Sequence, residues 1–273
     1  MDLRYNSVGI EVTRRCNQEC HNYCMRGARQ DLDIPLEFID LLLDLERNHY
    51  QYIDHLTFSG GEPTLNAEAI LYTVNKIISE KLPIFHVSLM TNGLIYSDKV
   101  VEAFEKFNDY YNTVIVPILL SKYPRRDREV YEPLFKDNGS AITFSNDQYH
   151  KPIPDEVLNL YYKNGKHISF GMTGPRAEKD LLRSGLSTQG RDINYGDDIR
   201  VFGDLVWDFI YLTAKGNYSG YGDGSFDFLD ETSKDFSVTD YTLNDFCFEK
   251  LSTSSKLGNP IPKVHIRKKF FKK

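Results

Sequence analysis

Three cysteines stand inside nine residues, Cys16, Cys20 and Cys24 in CNQECHNYC, out of four in a chain of 273. A disulfide framework spreads an even number of cysteines through a small secreted chain, so this crowding points instead to a metal or a cluster. Thiolates favour zinc and iron-sulfur clusters over hard cations. Structural zinc takes four closed ligands, which would here have to include His21 or the distant Cys247. Three thiolates in one loop fit a 4Fe-4S cluster that leaves one iron without a protein ligand, open to a substrate or cofactor.

Such a loop needs a scaffold, and strand-like and helix-like segments alternate from the start of the chain. Val8 to Thr13 (VGIEVT) predicts a strand that runs straight into the cysteine loop. Pro35 to Arg47 has Leu36, Ile39, Leu42 and Leu43 at helical spacing, with proline near its first turn. Ile53 to Ser59 reads as a second strand ended by Gly60-Gly61, and Asn66 to Glu80 as a helix capped by Asn66. Ile84 to Met90 is a third strand, ended by Thr91-Asn92-Gly93, and a helix follows from Ser97 to Phe107. Thr113 to Leu120 (TVIVPILL) is apolar enough for a buried strand, although Pro117 weakens a central ladder position. Ala141 to Ser145 and His167 to Met172 complete six strand-then-helix units, with a helix from Pro154 to Tyr162 between them. This alternation predicts a parallel sheet with crossover helices. Ala177 to Asp198 is expected to hold a short helix and a loop. Phe209 to Thr213 and Tyr218 to Tyr221 are expected to form a hairpin around Ala214-Lys215-Gly216-Asn217.

The order of these segments carries a resemblance. The strand end EVT, then RRCNQECHNYCMRG, then SGGEP at Ser59 to Pro63 and MTNG at Met90 to Gly93, resembles a radical S-adenosylmethionine (SAM) enzyme. The resemblance covers residues 7 to 180 and implies a partial (β/α)6 TIM-like barrel, with 1–180 as the radical SAM core. Residues 181–273 would then be a short C-terminal extension with a hairpin and a basic tail. The family's usual spacing is CxxxCxxC; here it is CxxxCxxxC, one residue longer between Cys20 and Cys24, while Tyr23 keeps the aromatic position before the last cysteine.

The resemblance implies that Cys16, Cys20 and Cys24 hold a 4Fe-4S cluster whose open iron chelates SAM. Reductive cleavage would give a 5′-deoxyadenosyl radical that takes hydrogen from an unidentified peptide, small metabolite or nucleotide. It also implies a reductant such as a flavodoxin or ferredoxin. Gly60, Gly61, Glu62 and Pro63 would hold the methionine part of SAM. Two glycines let backbone approach a zwitterionic ligand, Glu62 would order the loop or pair with an ammonium, and Pro63 stiffens the turn. Thr91 and Asn92 stand at a strand's C-terminal end, where barrel ligands gather, and Ser88 shares the face of Met90. Ser145 and Asn146, at the end of the fifth strand, are candidates for the SAM ribose, with Asp147, Tyr149 and His150 toward a substrate. Arg176, in Gly174-Pro175-Arg176-Ala177, is a candidate for a bidentate pair with a carboxylate.

Relatives that modify peptides often carry further cysteines for auxiliary clusters. The matching region here, YLTAKGNYSGYGDGSFDFLD, has none, and Cys247 alone, expected to be a buried apolar residue, cannot hold a cluster, so a single cluster is expected. Two other readings use the same residues: a zinc-stabilised binding protein that recruits His21, or a radical SAM-like partner subunit without catalysis.

A net charge of −6 argues against a surface built as a whole for nucleic acid. The run Lys263 to Lys273 is the exception, with six Lys or Arg residues around two phenylalanines. The first residues lack the charged and apolar regions of a signal peptide, and no apolar run reaches membrane-span length, so a cytoplasmic location with reduced thiols is expected.

Overall fold

The first strand, β1 (Leu3–Thr13), lies inside a sheet and leads directly to the cysteines. The computed structural model describes residues 3–20, 26–118, 139–145, 150–173, 200–201, 205–220, 222, 224–256 and 265–266. In chain order β1 is followed by α1 (Leu36–Leu43), α2 (Leu45–Asn48), β2 (Tyr50–Gly60), α3 (Ala67–Ser79), β3 (Ile84–Thr91) and α4 (Asp98–Tyr110). Then come β4 (Ser140–Ser145), α5 (Asp155–Asn164), β5 (Ser169–Thr173), β6 (Arg200–Val201), β7 (Leu205–Leu212) and β8 (Tyr218–Ser219). The chain closes with α6 (Phe226–Ser233), α7 (Leu243–Lys256) and β9 (His265–Ile266).

The strands line up as β5-β4-β3-β2-β1-β7-β6-β9, with β8 against β7. The six from β5 to β7 are mutually parallel. Crossover connections bury one face of each of these strands, and the alternation of side chains decides which residues go there. Val8, Ile10 and Val12 of β1, Leu56 and Phe58 of β2, and Val87 and Leu89 of β3 enter a core shared with Ile39, Leu42 and Leu43 of α1, Ile70 and Val74 of α3, and Phe104 of α4. Phe58 and Phe104 meet with ring centroids 6.2 Å apart. The opposite face carries Thr57 and Ser59, Ser88 and Met90, and Thr143 and Ser145, all partly buried or exposed. That polar face is the open side of a partial (β/α) barrel.

Local chemistry sets the helix ends. Asn66 caps α3 by accepting from the Ala69 N–H, and its amide donates to the Val12 carbonyl at 2.7 Å, so the cap also fastens α3 to β1. The single helix expected from Pro35 to Arg47 breaks at Asp44. This residue leaves helical geometry and uses its carboxylate to cap α2 at the Arg47 N–H, 2.9 Å away.

The expected strand from Thr113 to Leu120 is not formed: residues 113–118 are helical, and 119–120 lie outside the described residues. The chain runs on from α4 through a π turn, Tyr111–Ile115, which continues the buried stripe of Phe107, Tyr110, Tyr111 and Ile115. The wide turn falls just ahead of Pro117, whose ring would crowd the carbonyl four residues back in a regular helix. The β-branched run TVIV suggested a strand, but α4 had already committed this stretch to a helical face. The sixth parallel strand is β7 instead, and it joins on the far side of β1, with Ser7 beside Phe209 and Gly9 beside Tyr211.

After β7 the chain turns at 213–217, where the Thr213 N–H donates to the Asn217 carbonyl, and β8 folds back antiparallel. Asn48 joins α2 to α7: its Oδ1 accepts from the Leu243 N–H at 2.8 Å and its carbonyl from Asn244 at 2.8 Å. Cys247 is fully buried beside Phe246 in that helix. Among the described residues no helix is long and apolar enough to cross a membrane. The segment Ala177 to Asp198 and all of the basic tail except β9 lie outside the described residues.

Phe58, fully buried between sheet and helices, tests the core. Phe58→Ala is expected to destabilise the fold by about 3–5 kcal/mol through lost burial and a residual cavity, measured as a shift of the urea unfolding midpoint at unchanged slope.

Candidate functional site

The end of β1 and the end of β2 are built onto each other. The Gly61 N–H donates to the Thr13 carbonyl at 2.9 Å, and the Glu62 N–H to the Arg15 carbonyl at 2.8 Å. Gly60 has φ +155°, and a Cβ there would lie 2.2 Å from the Thr13 carbonyl oxygen; one on Gly61 would lie 2.3 Å from that of Arg15. The space left by the missing side chains admits the chain's own backbone, the residues that lead into Cys16. The returning limb is tied to the same place. The Arg14 N–H donates to the Leu32 carbonyl at 2.7 Å, Thr13 Oγ1 donates to Asp33 at 2.5 Å, and Arg15 forms a bidentate pair with Asp33.

Glu62 is buried and its carboxylate is committed. Oε1 accepts from the Thr64 N–H (3.1 Å), Thr64 Oγ1 (2.7 Å) and Thr91 Oγ1 (2.7 Å), and Oε2 accepts from the Asn92 N–H at 2.8 Å. Of the two roles expected for this residue, ordering the loop is the one its geometry serves. Asn92 then reaches the cysteine loop itself, its Nδ2 donating to Asn17 Oδ1 at 2.8 Å. Thus the glycine turn after β2, Thr91-Asn92 after β3 and the residues on either side of Cys16 form one hydrogen-bonded unit. Cys16 and Cys20 are both half-buried on that loop.

A family model described as the radical SAM superfamily matches residues 10–118, the span from β1 through this whole unit to the end of the helical stretch after α4. Over this span the chain is similar to the radical SAM superfamily. Among solved structures, BtrN in complex with AdoMet and 2-DOIA is similar in fold at 16% identity, with a TM-score of 0.52 over 97% of this chain and 90% of that one. Native anSMEcpe with bound AdoMet is 15% identical, with a TM-score of 0.42 over 89% and 80% of the two chains. SuiB of Streptococcus suis, bound to precursor peptide SuiA, is 13% identical, with a TM-score of 0.38 over 79% and 59%. No curated protein sequence matches.

The defining cofactors of the radical SAM superfamily are a 4Fe-4S cluster and SAM. The donor chemistry of this chain fits the first: Cys16 and Cys20 sit on one loop with a fixed base, and thiolates are the ligands such clusters take. Cys24 and Tyr23 lie outside the described residues, as do Asn146, Asp147, Tyr149 and Arg176. The bonds above bring Gly61, Glu62, Thr91 and Asn92 against the residues that flank Cys16, with Gly60 and Pro63 beside them in the chain. Ser88 stands on the open face with its hydroxyl 2.9 Å from that of Thr57, and Ser145 ends β4 on the same face, half-buried.

The tertiary structure adds residues that no motif singled out. Arg14 is fully buried; it donates to Glu11 at 2.8 Å, to Gln30 at 3.0 Å and through both terminal nitrogens to Asp230 at 3.0 and 2.7 Å. Arg26, on the outgoing limb of the cysteine loop, donates to Ser59 at 3.0 Å and to the Tyr211 hydroxyl at 3.1 Å, with its guanidinium over the Tyr211 ring. Burial pushes the Tyr211 hydroxyl well above its ordinary pKa, so it stays neutral. The two arginines of RRC and RG flank the cysteines in sequence and were the available signal. Asp230 and Tyr211, roughly two hundred residues away, gave none.

Burial opposes the charge on Asp230, but hydrogen bonds from Arg14 and Lys215 outweigh it and hold the carboxyl below the usual carboxylate range. A depressed folded-state value stabilises the fold above the unfolded value and loses that stabilisation as pH falls through the folded one. The unfolding midpoint is therefore expected to drop between about pH 5 and about pH 2 with a slope that Asp230→Asn reduces, measured by urea denaturation across that range. At Glu62, Glu62→Gln turns an acceptor into a donor facing either the Thr91 hydroxyl or the Asn92 N–H. It is expected to cost about 1–3 kcal/mol of stability and to lower iron content after anaerobic reconstitution; full iron content would refute the link to the cysteine loop.

Proposed function

We propose that this chain is a radical SAM enzyme with one 4Fe-4S cluster, ligated by Cys16, Cys20 and Cys24, that cleaves SAM reductively and takes hydrogen from an organic substrate. The observation that supports it most is the bonded unit in which the glycine turn and Asn92 both grip the residues flanking Cys16. A loop can absorb the extra residue between Cys20 and Cys24 more readily than a helix or strand, and both ends of this loop are fixed independently of its length.

When bound, the reduced cluster and SAM supply an electron-driven break of the sulfonium bond and a 5′-deoxyadenosyl radical that abstracts hydrogen. The chain's own residues bind and orient. The turn Gly60-Gly61-Glu62-Pro63 shapes the pocket for the methionine part of SAM, with Glu62 holding Thr91 and Asn92 at its wall. Tyr23, Ser88, Ser145, Asn146 and Arg176 complete the cofactor-binding set in this reading, Ser145 and Asn146 toward the ribose and Arg176 toward a carboxylate. The substrate lies over the open face of the sheet, beside the exposed Met90 and the partly buried Thr143. A flavodoxin or ferredoxin supplies the electron. Residues 1–180 form the core, and 181–273 an extension whose one cysteine, Cys247, leaves it without an auxiliary cluster.

Anaerobic reconstitution with iron and sulfide, followed by SAM and dithionite, is expected to release 5′-deoxyadenosine from the wild type and none above background from Cys20→Ala, read by chromatography. Equal product from both would mean that the loop is not the cluster site. Stoichiometric zinc without iron in the anaerobically purified chain would replace the enzyme with a zinc-stabilised binding protein.

A further inference from the structure

We propose that Asp230, acting through Arg14, is a positioning residue for the cysteine loop, so that the C-terminal segment sets the geometry of the site from the far end of the chain. The inference deepens the reading of Cys16, Cys20 and Cys24 as cluster ligands and rests on it for its consequence in iron binding.

Arg14 lies two residues before Cys16. Its side chain is fully buried, and a buried guanidinium holds its place only when its donors are met by well-aligned acceptors. Asp230 supplies two of these in a fork, which fixes the plane of the group as well as its charge. Gln30, on the returning limb of the loop, takes a third bond at 3.0 Å, so one side chain holds both limbs at a single point. The ring of Phe226 closes the remaining side, its centroid 4.7 Å from the guanidinium carbon.

Phe226 and Asp230 stand four residues apart on α6 and so share a face of that helix. Asp230 grips the entry limb through Arg14, while the Phe226 N–H donates at 3.0 Å to the carbonyl of Arg26 on the exit limb. One turn of helix therefore spans the two ends of the segment that carries all three cysteines. The hairpin after β7 supports this grip: the Ala214 N–H donates to Glu11, the other carboxylate on Arg14, and Lys215 donates to Asp230 at 2.6 Å. Asp230 thus bears, through Arg14, on both limbs of the loop.

A contact that served only general stability would loosen every part of the molecule alike. Cys247, fully buried in α7, reports that general loosening, while Cys16 and Cys20 report the loop. The test is iodoacetamide alkylation of the metal-free chain, with the rate at each cysteine read by peptide mass spectrometry, together with iron loss from the reconstituted chain to a chelator. Asp230→Asn is expected to raise the rates at Cys16 and Cys20 about tenfold beyond any rise at Cys247, which reads the loss of global stability, and to speed iron loss by a similar factor, the size seen when partners that orient metal ligands are removed. Asp230→Glu, which can rebuild the fork, is expected to restore most of the wild-type rates. If Asp230→Asn does not fold, Arg14→Lys, which keeps the charge and loses the fork, is expected to show the same selective rise. Unchanged rates at Cys16 and Cys20, or an equal rise at Cys247, would overturn the proposal. A selective rise in a chain whose wild type takes up no iron would support the positioning and refute the cluster reading instead.

Discussion

Everything about this site depends on two backbones that lie closer than side chains permit. The carbonyls of Thr13 and Arg15 take hydrogen bonds from Gly61 and Glu62 across a gap in which a single Cβ would sit little more than 2 Å from an oxygen. The contact makes the end of β1 and the end of β2 one object just before the cysteines begin. Steric exclusion, more than any attraction, is what requires glycine here, because replacing either residue would push the cysteine loop off the sheet.

Around that contact the buried charges act as fasteners. The Glu62 carboxylate answers four donors from Thr64, Thr91 and Asn92, and so carries the order of the β2 turn to the end of β3. The Arg14 guanidinium, between Glu11 and Asp230, carries it to the C-terminal segment. Neither charge is a bargain for stability by itself, since burial costs each of them hydration. What they supply is geometry, because a carboxylate or guanidinium held by four hydrogen bonds has one orientation open to it. The residues that flank Cys16 are thereby fixed in place.

The strands that hold the site could be read from periodicity wherever one face enters the core and a turn signal follows. The stretches ending in Gly60-Gly61 and Thr91-Asn92-Gly93 are of that kind, and they are β2 and β3. Thr113 to Ile118 shows the failure of the same rule. Its β-branched residues favour a strand locally, yet its register with the apolar stripe of α4 draws it into the helix, and burial of Tyr111 and Ile115 outweighs the weak propensity. The sheet recovers its sixth parallel strand from β7, on an edge of β1 that nothing in a linear reading designates.

The sequence by itself determined the residue types the site has to work with: three thiols within nine residues, two glycines that permit a close backbone approach, and a carboxylate between them and a proline. These are properties of residue type and short spacing, and short spacing survives folding unchanged. Only the tertiary structure decided that Glu62 serves the loop, that β7 flanks β1, and that Asp230 and Phe226 hold the two limbs from roughly two hundred residues away. Partners that distant are brought together by closure of the core, so no local pattern encodes them, and both Asp230 and Phe226 lie outside the span that the family model matches.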